Sequence, residues 1–194
     1  LSTMRTPTVL CGRLPGDPFV GQFSSVYADD EIGAQLAATH LAERGRTHPV
    51  ALLGPRENPA ALDRLAGYRA VLGDLLPDDR VRFGEWDEQS GYAAAAQILA
   101  TGMPVDAMLC AADRIAAGAL KALAEAGRQL PEDVSVIGFD DHPLAARSTP
   151  PLTTIAQPMV SEGEVAVALL KELLEGGAPR TEVLPMELRR RASV

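Results

Sequence analysis

Charged and aromatic side chains follow several of the most apolar runs in this sequence. Asp140 and Asp141 come directly after VSVIGF. Trp86 closes VRFGEW, and Arg13 follows PTVLCG. A carboxylate or a guanidinium forms charge-assisted hydrogen bonds with hydroxyl groups, and an indole ring stacks on the apolar face of a sugar. Side chains of these types, if they converge, would bind a polyol.

Each candidate side chain also has a purely structural interpretation. Asp113 precedes the helical pattern RIAAGALKALAEAG and could be its N-cap, and Asp141 could cap the short PLAAR turn. Trp86 could pack in the core. Arg64, which lies within a predicted helix, could be solvated or ion-paired at the surface. The residue types alone therefore predict a binding cleft and leave these alternatives open.

Catalysis is a further possibility for the two adjacent carboxylates. Neighbouring residues of a strand point to opposite faces, so Asp140 and Asp141 would not share one substrate as an acid and base pair. The sequence contains no G-x-S-x-G, P-loop or dinucleotide-binding glycine motif. Its histidines, His40, His48 and His142, have no metal-ligand spacing. We therefore expect no enzyme, no catalytic residue, no metal site and no cofactor.

The elements that must position these side chains alternate between two patterns. Short apolar runs bounded by Gly, Pro or Asp are typical of strands, and longer runs with apolar residues at helical spacing are typical of helices. The predicted strands are PTVLCG, VALLG, VRFGEW, AMLCAA and VSVIGF. The predicted helices are EIGAQLAATHLAERG, ALDRLAGYRAVLGDL, SGYAAAAQILATG, DRIAAGALKALAEAG and SEGEVAVALLKELLEGG. Because parallel strands need crossover connections, this order predicts an α/β fold with helices on both faces of parallel sheets. Ligands bind such sheets outside the carboxyl ends of the strands, which is where the candidate residues lie.

Composition restricts the possible partners. The 194 residues are 46% hydrophobic and carry a formal net charge of −8, so we expect no general attraction to nucleic acid or to an anionic membrane surface. No apolar run approaches the roughly 20 residues that a membrane-spanning helix needs.

Cys11 and Cys110 lie within apolar runs, which predicts buried, reduced thiols. The chain opens on a core-type strand and has no apolar leader, so we interpret it as part of a longer polypeptide.

One long segment resembles a known family. LPEDVSVIGFDDHPLAARSTPPLTTIAQP (130–158), with DRIAAGALKALAEAG before it, resembles the effector-binding domain of LacI/GalR-type bacterial transcription repressors. Further blocks agree in order: ADDEIGAQLAATHLAERGR, PVALLGP, RLAGYRAVL, SGYAAAAQIL and LPMELRRRAS. The resemblance extends from about Thr8 to Ser193.

The resemblance implies a periplasmic-binding-protein-like fold of two doubly wound, parallel-sheet lobes joined by a three-segment hinge. It assigns residues 1–29 and 157–184 to the N-terminal lobe, which would be incomplete in this chain. It assigns residues 30–156 and 185–194 to the C-terminal lobe.

The resemblance also implies roles for individual residues at a cleft between the lobes. Arg64 and Asp140 would hold ligand hydroxyls, and Trp86 would stack on the ligand. Gln157 would be a hydrogen-bonding residue of the hinge, and Arg13 would lie near the cleft.

One position departs from the family pattern. Ala112 stands where many members have asparagine, so a common polar ligand contact is missing.

By resemblance, then, the chain is expected to be the ligand-sensing domain of a LacI-type regulator. It would bind a small effector, expected to be a sugar, and would control operator binding by an N-terminal helix-turn-helix that this sequence lacks. A cytoplasmic homodimer with no membrane partner is expected. The alternative is an extracytoplasmic sugar-binding protein of a transporter, for which a signal leader and no DNA-binding segment would be diagnostic.

Overall fold

The computed structural model describes residues 6–13 and 21–194, which form two compact units. The first unit contains the described residues up to Asp29 together with Pro158–Met186. The second unit contains Asp30–Gln157 and Glu187–Val194. The chain therefore passes between the units three times. Their assignment to the two hinged lobes implied by the resemblance stays a prediction.

A six-stranded sheet forms the centre of the second unit, in the order β4-β3-β5-β6-β7-β9. The strands are β3 (Pro49–Leu53), β4 (Val81–Phe83), β5 (Ala107–Cys110), β6 (Ser135–Asp140), β7 (Thr153–Ala156) and β9 (Glu187–Arg189). All neighbours pair in parallel except β7 and β9, which are antiparallel. Every residue of β3 and β5 is buried, because helices cover both faces of a doubly wound sheet.

Two pairs of helices provide that cover. The helices of the unit are α1 (Asp30–Glu43), α2 (Pro59–Leu72), α3 (Glu88–Ala100), α4 (Asp113–Glu125) and the short α5 (Pro143–Arg147). Helices α3 and α4 share a core cluster with alternate residues of β3, β5 and β6, while α1 packs against α2 and against β5, β7 and β9. Glycine permits the closest approach of α3 and α4: a methyl group at Gly118 would overlap the carbonyl oxygen of Glu88.

The first unit contains a three-stranded parallel sheet, in the order β1-β2-β8, and one long helix. These are β1 (Val9–Cys11), β2 (Ser24–Ala28), β8 (Thr181–Leu184) and α6 (Met159–Leu174), which packs on β1 and β2. Cys11 is exposed, so the prediction of a buried thiol was wrong there, because β1 is an edge strand of this sheet. Cys110 is buried as predicted.

The alternation of strands and helices confirms the α/β prediction, and Pro185 separates β8 from β9. Within residues 6–13 and 21–194, no helix combines the length and apolar character that crossing a membrane would require.

Candidate ligand-binding site

A cavity of about 380 Å³ lies in the second unit, where the carboxyl ends of its parallel strands meet. Neighbouring parallel strands end at the same edge of a sheet, so the residues that follow them are brought together. The cavity is lined by Asn58, Ala60, Arg64, Trp86, Ala112, Arg114, Asp140 and Gln157. Four of the five sequence-predicted site residues are among them.

Arg64 is the most firmly held side chain of the cavity wall. It is only 4% exposed, and a buried charge must be paired and hydrogen-bonded to be tolerated. Its Nε donates to Asp30 Oδ1 at 2.7 Å, and its Nη1 donates to the carbonyl oxygen of Ala111. The guanidinium carbon also lies 3.7 Å from the centre of the Phe139 ring and 5.5 Å from that of Trp86. Arg64 is therefore a buried, preorganised cation and not a solvated surface arginine.

Asp140 ends β6 and directs a carboxylate toward the same cavity. Its Oδ1 accepts a hydrogen bond from Gln157 Nε2 at 2.6 Å and lies 3.7 Å from Arg64 Nη1. Burial raises the pKa of the Asp140 carboxyl, and the nearby Arg64 cation and the Gln157 hydrogen bond partly oppose that rise. Within the described residues Oδ2 accepts no hydrogen bond, so it is available to a ligand hydroxyl.

The backbone separates Asp140 from Asp141. Both residues have positive φ, 109° and 54°, a conformation that aspartate tolerates better than most residues but that still costs about 1–3 kcal/mol. The turn sends the Asp141 carboxylate to Arg191, whose Nη2 lies 2.6 Å from Oδ1. Asp141 does not cap α5, since His142 Nδ1 accepts the Leu144 N–H instead. The two carboxylates thus serve different partners, and the turn, not the alternation of strand residues on which the prediction relied, separates them.

Asp113, which does not line the cavity, joins the start of α4 to β7 and to the segment after β6. Its Oδ1 accepts from the Thr154 hydroxyl at 2.6 Å, and its Oδ2 accepts from the His142 N–H at 2.7 Å. Its side chain is fully buried, and burial raises its pKa to about 7 although both hydrogen bonds act to lower it. A methyl group at Gly138 would overlap this carboxylate. The N-cap interpretation of Asp113 was wrong: the N-cap of α4 is Ala112, and Asp113 bonds to distant residues instead.

Trp86 packs against the core, as one of its two sequence-based interpretations has it, and its role as a stacking face for a ligand stays a prediction. It is partly buried against the core cluster, and its ring also forms part of the cavity wall. The indole lies so close to Gly54 that a methyl group there would overlap it. Gly54 therefore sets the position of the ring.

Arg13 belongs to the first unit, whereas the other four predicted site residues belong to the second. Its guanidinium carbon lies 5.6 Å from the centre of the Tyr27 ring. The role of Arg13 as a ligand contact stays a prediction.

Two polar lining residues, Asn58 and Arg114, were missed by sequence reasoning. The Asn58 Oδ1 caps α2 by accepting the Ala60 N–H at 2.9 Å, which leaves its amide nitrogen as a donor. Arg114 lies in the first turn of α4 and is exposed. Its place four residues after Cys110, the last residue of β5, was the signal that could have identified it.

Comparisons with known proteins agree with this architecture. The profile of the periplasmic binding protein-like domain matches residues 38–194. The ribose operon repressor of Escherichia coli is 36% identical over 169 residues, 86% of this chain and 51% of its own length. A solved complex of the transcriptional regulator CelR with cellobiose has a TM-score of 0.90 at 34% identity, covering 96% of this chain and 58% of that one. A dimeric Lac repressor has a TM-score of 0.87 at 31% identity, with 96% of this chain and 68% of that one covered.

The chain belongs to the LacI group of the periplasmic binding protein-like family. The family and fold predicted from the sequence are thereby confirmed. The chain spans about half the length of the curated relatives that it matches. These relatives are described as regulators and repressors, and none of those named above is described as an enzyme.

Proposed function

We propose that this LacI-type chain is the effector-sensing part of a bacterial transcription regulator and that its effector is a sugar. The observation that carries the proposal is the cavity around Asp140. There Asp140 accepts a hydrogen bond from Gln157 and lies close to the Arg64 cation, and an indole ring forms part of the same wall. The cellobiose bound to CelR and the ribose named in the repressor relative support a sugar as the ligand.

The chemistry of the cavity suits a hydroxylated ring. Asp140 Oδ2 and Gln157 Oε1 are acceptors for sugar hydroxyls, and the Asn58 amide nitrogen is a donor. Trp86 offers a flat apolar face for the C–H side of the sugar. Because Arg64 is already fixed by Asp30 and Ala111, the carboxylate that it faces is held in place before ligand arrives.

Regulation would follow from unequal affinity of the ligand for two conformations of the protein. Gln157 is the last residue of the second unit before the chain passes to the first, and it hydrogen-bonds to the proposed ligand contact Asp140. A hundredfold change in operator affinity requires about 2.7 kcal/mol of coupling, which two or three hydrogen bonds present in only one state would provide.

DNA binding, dimerisation and location are part of the same proposal. Operator DNA would be bound by an N-terminal helix-turn-helix of the regulator. A homodimer is supported by the dimeric Lac repressor, and a DNA-binding regulator would act in the cytoplasm. The alternative of an extracytoplasmic transport protein is less well supported, because the relatives reported above are regulators.

Asp140→Asn tests the site, with Asp74→Asn as the matched control. Asp74 is an exposed carboxylate of the same unit and does not line the cavity. Replacing a charged acceptor costs about 1.5–3 kcal/mol, so Asp140→Asn should weaken binding of cellobiose or ribose roughly 10- to 150-fold in calorimetric titrations. Asp74→Asn should bind as the unmodified protein does. Equal affinities in all three proteins would disprove the assigned role of Asp140, and no binding of any sugar would disprove the sugar effector.

A further inference from the structure

Arg114 differs from every other charged group of the cavity wall. Arg64 is paired with Asp30 and lies near Asp140, so its charge is balanced within the protein. Arg114 is exposed, lines the same cavity, and makes no hydrogen bond, ion pair or ring contact within residues 6–13 and 21–194. The cavity wall therefore carries one guanidinium whose five N–H donors have no acceptor in the part of the chain that the structure describes.

Arg114 follows the central one of three neighbouring strands whose ends line the cavity. It follows β5, which lies between β3 and β6 in the sheet; the loop after β3 supplies Asn58, and Asp140 is the last residue of β6. With neighbouring strands about 4.8 Å apart, a monosaccharide at this edge would span the ends of two or three strands. A group on such a ligand would therefore be within reach of the Arg114 side chain.

The surroundings of Arg114 favour an anion over a hydroxyl. It lies in the first turn of α4, a helix of 13 residues whose amino end carries partial positive charge. The Asp113 carboxylate beside it is fully buried and is bonded to Thr154 and His142, so it does not pair with Arg114. Ala112, the other residue of this loop in the wall, offers only a methyl group. The Arg114 guanidinium is thus the hydrogen-bond donor here, and its planar arrangement of N–H groups matches the oxygens of a carboxylate or a phosphate.

We propose that the effector is an anionic sugar, a phosphate ester or a sugar acid, whose oxyanion is bound by Arg114. This inference rests on the proposed sugar-binding function and narrows its ligand class. In this arrangement Asp140 and Gln157 hold the hydroxyl groups and Arg114 holds the charged substituent. The acidic chain as a whole repels anions, with a net charge of −8, so recognition depends on this local cation.

The test is a calorimetric titration of the full chain with matched neutral and anionic sugars. The ligands are D-ribose with D-ribose 5-phosphate, and D-glucose with D-glucose 6-phosphate and D-glucuronate. The variants are Arg114→Gln and, as a control, Arg128→Gln. Arg128 is an exposed arginine just beyond the other end of α4, so its replacement removes the same charge about 20 Å from Arg114. Circular dichroism verifies that both variants are folded.

In the unmodified protein, at least one anionic sugar should bind about tenfold or more tightly than its neutral partner. Arg114→Gln should remove that preference and change the affinity for the neutral sugar less than about twofold, whereas Arg128→Gln should retain the preference. Preference for the phosphate esters or for glucuronate identifies which oxyanion is bound. If neutral sugars bind as tightly as their anionic partners, or if Arg114→Gln keeps the preference, Arg114 is a solvated surface residue and the inference is overturned while the sugar-binding function stands. Absence of binding by all five compounds overturns both.

Discussion

The buried carboxyl of Asp113 should make the stability of this protein depend on pH in a predictable direction. Its pKa is about 7 in the folded protein and about 3.8 for the unperturbed group, so between these values the folded state binds the extra proton. The free energy of unfolding that this residue contributes is therefore fully present below pH 3.8 and is lost as the pH rises through 7. Asp140 and Asp141 also act to raise the Asp113 pKa, which adds to the effect of burial.

The size of the effect follows from the same two pKa values. Integration of proton binding gives a loss of about 2 kcal/mol in the free energy of unfolding between pH 5 and pH 7. Asp113→Asn should remove this loss because an amide does not titrate. Thr154 and His142 donate to different oxygens of the Asp113 carboxylate, and the amide has an NH2 group in place of one of them, so the variant should also carry a destabilisation that is independent of pH.

The assay is urea denaturation followed by circular dichroism at pH 5, 6 and 7 for the unmodified protein, Asp113→Asn and the exposed control Asp74→Asn. From pH 5 to pH 7 the unmodified protein should lose about 2 kcal/mol of unfolding free energy that Asp113→Asn does not lose. The unfolding free energy of the variant should therefore rise by that amount relative to the unmodified protein. Groups such as His40, whose pKa burial lowers, titrate alike in both proteins and cancel. A difference that stays constant over this range would refute the reasoning, as would an equal pH effect in Asp74→Asn.

Two further predictions concern glycines. Gly118→Ala should destabilise the protein by about 1–3 kcal/mol, because the added methyl group overlaps the Glu88 carbonyl oxygen between α3 and α4. Gly163→Ala, in a helix where a methyl group meets no atom, should instead leave stability unchanged or raise it by up to about 1 kcal/mol, and urea denaturation of both variants checks the contrast. Gly54→Ala should displace the Trp86 ring and weaken sugar binding by calorimetry, with a larger loss in affinity than in unfolding free energy. Unchanged affinity in a folded Gly54→Ala protein would contradict the proposed stacking role.

Much of the fold could be predicted from local pattern alone. The apolar runs that became β3, β5 and β6 are buried on both faces, and their punctuation by Gly and Asp marks the strand ends at which the cavity forms. The antiparallel pairing of β9 with β7 could not be predicted in this way, because it depends on where the chain returns after Pro185. The exposure of Cys11 likewise depends on its strand lying at a sheet edge, which the letters VLC do not encode.

The site was predictable only in part. Asp140 and Trp86 follow strands and were found by that rule, whereas Arg64 lies inside α2 and was found only through family resemblance. Asp113 was misassigned because its hydrogen bond to Thr154 joins residues 41 positions apart, a contact that no local rule contains. Arg114 resembles any exposed helical arginine in sequence, and its significance depends on the cavity beside it.

The indole in the cavity wall gives this protein a built-in optical probe. The sequence contains a single tryptophan, so steady-state emission excited near the red edge of its absorption comes from one known position. Its ring lies 5.5 Å from the guanidinium carbon of Arg64, so a ligand that stacks on the indole would change both the local polarity and the local field. Occupancy of the cavity can thus be followed in unlabelled protein, without the ambiguity that several emitting residues would introduce.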